Sequence, residues 1–185
     1  MIARIYSNNK IHDLYFYNAD DYPFFSGGTV PNPEYMTFYP HIVGSNILSA
    51  SSNLKEGSKV YSTDNLTSKI GVCWAEGVRG HGIGEKIIFK NNGDNLFFDL
   101  SISIGFVSFE KPYLYRENSR PKKLRISFEG EDPRIIELAD TPNLQSLGDI
   151  YTSGKKDLWV EILEVYPGTK YTDTCVNFFQ GRYSQ

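Results

Sequence analysis

Lys123-Leu124-Arg125-Ile126-Ser127-Phe128 decides the fold class of this chain. Leu124, Ile126 and Phe128 alternate with Lys123, Arg125 and Ser127, which is the two-residue period of a strand with one wet face. Gly130-Glu131-Asp132-Pro133 then crowds turn formers together, and an apolar run from Arg134 to Leu138 follows, so the two runs are expected to form a hairpin. Working outward, runs of the same kind occur at 46–49, 70–75, 85–89, 96–105, 157–165 and 174–179, and no window supports a long helix. Many short strands separated by Gly, Pro, Asn and Ser loops predict an all-β, jelly-roll β-sandwich. Such a sandwich is expected to close with its first and last strands side by side and antiparallel. Its loops gather at two ends, where binding function usually sits.

Composition agrees with that class and removes others. The chain has 185 residues, enough for one domain with an appendage and for a real core. Aromatics make up 15%, with 13 Tyr against 2 Met, a bias toward β-structure and toward surfaces that stack on amphipathic ligands. Net charge is −3 with a pI near 5.6, so there is no basic field to draw nucleic acid. The apolar runs are too short and too broken for membrane insertion. Residues 1–10 carry no secretory apolar segment, so export would require a signal removed ahead of this sequence. Cys73 and Cys175 are too few for a disulfide scaffold and fit no zinc spacing. They form either one bridge or two buried thiols, and burial in a sandwich favours thiols.

Residues 1–41 read differently from 42–185. Two short runs flank Ser7-Asn8-Asn9-Lys10 as in a small hairpin, and an aromatic, loop-rich stretch continues through Tyr22-Pro23-Phe24-Phe25 to Pro33. This extension has too little apolar surface to fold alone and is expected to pack on the sandwich.

The densest cluster of chemistry is Trp74-Ala75-Glu76-Gly77-Val78-Arg79-Gly80-His81-Gly82-Ile83-Gly84-Glu85. Four glycines there suit a shaped loop, with Trp74 plugging the core. Glu76 and Glu85 either accept hydrogen bonds from sugar hydroxyls or have a structural role, bonding backbone amides or pairing with Arg116 or Arg120. Arg79 and His81 lie at the loop tip as polar donors for a glycan, or stand solvated. A second cluster joins Tyr113, Tyr115, Arg116, Asn118 and Arg120: tyrosine faces stack on a pyranose while Arg and Asn direct hydrogen bonds. Asn118 and Arg120 have the alternative role of pinning a loop to the backbone.

Several spaced blocks carry a resemblance. Asn46-Ile47-Leu48-Ser49-Ala50-Ser51-Ser52-Asn53-Leu54, Tyr61 with Asn65-Leu66, Trp74-Ala75-Glu76-Gly77 and Gly82-Ile83-Gly84-Glu85 follow one another in order. Further on come Gly105-Phe106, the run from Tyr113 to Leu124, Asp140-Thr141-Pro142, and the run from Val165 to Cys175. Together, over about 42–180, they resemble discoidin-like, galactose-binding-like domains. More narrowly they resemble the glycan-binding domain that precedes the catalytic part of bacterial NAD glycohydrolase toxins. The resemblance implies a jelly-roll that binds glycans through loops at one end, in an extracytoplasmic setting, with no cofactor and no chemistry of its own. A protein-interaction or structural role on the same scaffold is the alternative.

Two departures qualify the resemblance. Discoidin-type domains usually carry an Asp-Gly turn ahead of the Trp, often near a structural calcium. Here Leu66-Thr67-Ser68-Lys69-Ile70-Gly71-Val72-Cys73 has no acidic residue, so no metal is expected there. Relatives also tend to follow Asp-Thr-Cys with Ile-Ser-Glu, where this chain has Val176-Asn177-Phe178, so a role for that Glu does not carry over.

No enzyme is expected. Glu76, His81 and Glu85 match no zinc signature, paired carboxylates for glycoside hydrolysis would need a deep cleft, and no Gly-x-Ser-x-Gly elbow is present.

Overall fold

In the computed structural model, which describes residues 2–7, 10–15, 48–66, 72–90, 96–108, 110–128, 131–151 and 157–184, the chain divides into two units, Met1–Pro40 and His41–Gln185. In the first, β1 (Ile2–Ser7) and β2 (Lys10–Tyr15) pair antiparallel with Ser7 opposite Lys10, the hairpin that the turn sequence predicts. The aromatic stretch from Tyr22 to Pro33 lies outside the described residues, as do Asn46, Ile47, Gly130 and the 67–71 segment on which the calcium expectation rests.

The second unit contains the strands β3 (Leu48–Ala50), β4 (Leu54–Glu56), β5 (Lys59–Tyr61), β6 (Trp74–Ala75), β7 (Lys86–Phe89), β8 (Leu96–Ile104), β9 (Arg120–Phe128), β10 (Arg134–Glu137), β11 (Gln145–Tyr151), β12 (Leu158–Tyr166) and β13 (Cys175–Ser184). Its described residues also include a 3-10 turn at Thr63–Leu66 and a helical turn, α1 (Leu114–Glu117). Two antiparallel sheets form, in the orders β10-β9-β12-β7-β3 and β11-β8-β13-β6, with β4 and β5 as a separate hairpin. The β9–β10 hairpin is the expected one, with Arg134 opposite Ile126.

Alternation decides which side chains meet between the sheets. Leu124 and Ile126 of β9 are buried while Arg125 between them stays half-exposed, and Val160 and Ile162 of β12 follow the same rule. The facing sheet contributes Ile102, Ile104, Val176 and Phe179 to the same core. Phe89 and Phe179 touch edge to face across it, with ring centroids 5.0 Å apart. Each such buried side chain stabilises the fold by about 1.5–3 kcal/mol relative to exposure. Trp74 is fully buried and donates its indole N–H to Ser52 O at 3.1 Å. Cys73 and Cys175 are free and buried, in a smaller apolar cluster with Tyr61, Ala75 and Phe106.

One topological expectation fails. Among the described residues, the first and last strands of the sandwich are not neighbours: β3 pairs with β7 at the rim of one sheet, whereas β13 runs between β8 and β6 in the other. Leu48 of β3 sits opposite Phe89 and buries its side chain in the core, so the first described strand of the sandwich lies in one layer and the last in the other.

Two connections meet at one end of the sandwich. The start of β13 pairs with the end of β8, Val176 opposite Ile104, and the start of β9 pairs with the end of β12, Arg120 opposite Tyr166. The β8–β9 and β12–β13 connections therefore emerge together, and a parallel bridge between Ser119 and Thr174 ties the two layers there.

Candidate functional site

The glycine-rich loop is anchored at this end by its own carboxylate. Glu76 is fully buried; its Oε2 accepts from Val78 N at 2.8 Å and its Oε1 from Thr174 N at 3.2 Å. Burial pushes its carboxyl above the usual range, opposed by those two amide bonds. Gly82 is required beside it: its φ is +63°, and a Cβ would lie 2.4 Å from Glu76 Cγ. Glu85 accepts from Ser51 Oγ at 2.6 Å and from Ser52 Oγ, which in turn accepts from Gly77 N at 2.9 Å. His81 Nδ1 meets Ser119 Oγ at 2.9 Å, and its carbonyl accepts from Thr174 Oγ1. Arg79 stands exposed, between the exposed Val78 and Ile83.

The second cluster splits in two. Arg120, only 4% exposed, forks onto Asp140 through Nε at 2.7 Å and Nη2 at 2.8 Å, and its Nη1 donates to the carbonyls of Tyr115 and Asn118. Tyr115 donates its hydroxyl to Asp140 as well, at 3.0 Å, beneath the Arg120 guanidinium. That guanidinium is the main reason the Asp140 carboxyl is held below its usual range. Asn118 is buried and donates to Leu114 O, closing α1. Tyr113 and Arg116 are exposed.

A cleft of ≈ 450 Å³ opens at the same end. That lies within the range of small-ligand pockets, about 300–1,000 Å³. One wall is the β4–β5 hairpin with Leu54, Glu56, Lys59 and Tyr61; the other is the 106–118 segment with Phe106, Glu110, Lys111, Tyr113 and Glu117. Lys170, Tyr171 and Asp173 close the third side, and Ala75 and Cys175 complete the lining. Tyr61 donates to Glu56 Oε2 at 2.8 Å and meets Phe106 edge to face. Burial, then the nearby Glu56 carboxylate, raises the Asp173 carboxyl above its ordinary range, against a bond from its own backbone amide.

Of the nine residues singled out from sequence, Tyr113 and Asn118 line this cleft. Glu76, Glu85, Tyr115 and Arg120 hold neighbouring backbone and side chains, and none of these four, nor Arg79, His81 or Arg116, is on the cleft wall. Glu56, Lys59, Tyr171 and Asp173 were not singled out. The signal for the first two was Glu56-Gly57-Ser58-Lys59, a two-residue hairpin loop with glycine first and φ +60°.

Residues 38–179 match the family model for the NAD glycohydrolase translocation F5/8 type C domain. The chain belongs to this family. As an F5/8 type C, or discoidin-like, domain it also resembles solved structures. Against arabinofuranosyltransferase AftD from Mycobacteria the TM-score is 0.51 at 10% identity, covering 74% of this chain and 12% of that one. Against the family 32 carbohydrate-binding module (CBM) of C. perfringens NanJ, solved with galactose, it is 0.50 at 10% identity, covering 77% and 97%. At such identity these likenesses establish the shared β-sandwich of the F5/8 type C domain. No curated protein matches the chain.

Proposed function

We propose that this domain is a non-catalytic glycan-binding module of an extracytoplasmic protein, carried by the 42–185 region, and that the cleft between the β4–β5 hairpin and α1 holds the sugar. The observation that carries this reading is the cleft's lining, in which Tyr113 and Tyr171, 54% and 39% exposed, stand among carboxylates and lysines. A pyranose has an apolar ring face for a tyrosine and a belt of hydroxyls for charged acceptors and donors. The F5/8 type C family and the likeness to a galactose-bound module support it, and neither calls for a catalytic step. A shallow site with few contacts gives millimolar to micromolar affinity, about −4 to −8 kcal/mol.

A glycan array tests the reading. The parent domain should bind a reproducible sugar class, and Tyr113→Ala and Tyr171→Ala should weaken that binding without moving the melting temperature, since both rings are exposed. A blank array would overturn it. Exposed Val78 and Ile83 favour a second reading, a protein contact at the glycine-rich loop, which a blank array with a retained pull-down partner would support.

A further inference from the structure

Four carboxylates, Glu56, Glu110, Glu117 and Asp173, and three ammonium groups, Lys59, Lys111 and Lys170, line the cleft. Two of the ammonium groups are already engaged within it. Lys170 Nζ lies 3.6 Å from Glu117 Oε2 and 4.9 Å from the Tyr171 ring centroid, and Lys59 Nζ lies 4.4 Å from that of Tyr61. The carboxylates keep more unused capacity, because an ionised carboxylate accepts about four hydrogen bonds. Glu117 Oε2 is buried and makes no hydrogen bond but has Lys170 as its ionic partner, whereas the half-buried Asp173 side chain is engaged by its own backbone amide. Partly dehydrated acceptors of this kind favour a positive neighbour and resist a negative one. The tyrosine faces act in the same direction, since an aromatic ring attracts a cation.

We infer that the cleft selects a hydroxyl-rich ligand bearing a protonated amine, that is, a non-acetylated amino sugar, over its neutral counterpart and strongly over its carboxylate-bearing counterpart. The inference rests on the glycan-binding reading above and sharpens it. An ammonium brings three donors to Asp173 where a hydroxyl brings one. A uronate carboxylate brings none and adds a like charge. N-acetylation removes both the charge and two of the donors.

The test is titration of the full chain at low ionic strength with galactose, galactosamine, N-acetylgalactosamine and galacturonic acid, and with the glucose-configured set. In the configuration that binds, the amine should be about fivefold tighter than the neutral sugar and the uronic acid about tenfold weaker, the size of one added charge-assisted hydrogen bond or of one like-charge repulsion. The acetylated sugar should fall back to the neutral level. Asp173→Asn should bring amine and neutral sugar within about twofold of each other, and Glu117→Gln provides the same reading should the first variant fold poorly. Uronic acid binding as well as or better than the neutral sugar overturns the inference and leaves the glycan reading standing. So does an amine preference that survives both substitutions. If no sugar in either set binds, the glycan reading falls and the inference falls with it.

Discussion

Arg120→Ala removes the side chain that ties β9, the end of α1 and the 140 loop into one unit. Four hydrogen bonds are lost: two to the Asp140 carboxylate and one each to the carbonyls of Tyr115 and Asn118. Breaking a buried ion pair by deleting one partner costs about 3–5 kcal/mol. The lower end applies, because the Asp140 side chain is 30% exposed and water can re-solvate it. About 3 kcal/mol corresponds to a fall in melting temperature of roughly 6–12 °C for a domain of this size. Thermal denaturation followed by near-ultraviolet circular dichroism measures it, with Arg120→Lys as an intermediate control that keeps the charge and loses the fork. The effect has a pH signature. Arg120 lowers the Asp140 carboxyl in the folded state, so the pair's contribution is complete above the unfolded value of about 3.9 and disappears as pH falls through the folded one. The gap between parent and variant should therefore be constant above about pH 5 and narrow toward pH 3. A variant melting within about 2 °C of the parent at neutral pH would refute the reasoning.

Trp74→Ala should cost on the order of 3–5 kcal/mol, read by urea denaturation, because it opens a cavity in the core and strands Ser52 O. Gly77→Ala should destabilise the domain by about 1–3 kcal/mol in the same assay, as for overpacked sites. Its Cβ would lie 2.4 Å from Asn53 O, and backbone, unlike a flexible side chain, cannot step aside. The two thiols should react with a maleimide reagent only after denaturation, because both are buried and the hydrogen bond between them, with burial, pushes the Cys175 thiol up. Labelling of the native protein at the rate of a free thiol would contradict this.

What was legible in the sequence is what depends on near neighbours along the chain. Alternation at 123–128 sets which β9 side chains point inward, and the turn formers before Arg134 set its pairing with β10. Strands β4 and β5, of three residues each, are too short to display a period, and β11 hides its own because Gly148, at φ +80°, marks a shift in its register with β8. The cleft was legible only at Tyr113 and Asn118, because its walls come from stretches far apart in the chain, around Tyr61, Tyr113 and Tyr171, which meet only when the two sheets close. The same closure supplied the structural partners of two charged residues. Glu76 and Arg120 have the residue types of ligand-binding groups, yet unpaired backbone amides and the Asp140 carboxylate lie within hydrogen-bonding reach of them in the fold. A buried charge must find such partners, and local sequence does not say where those partners will be.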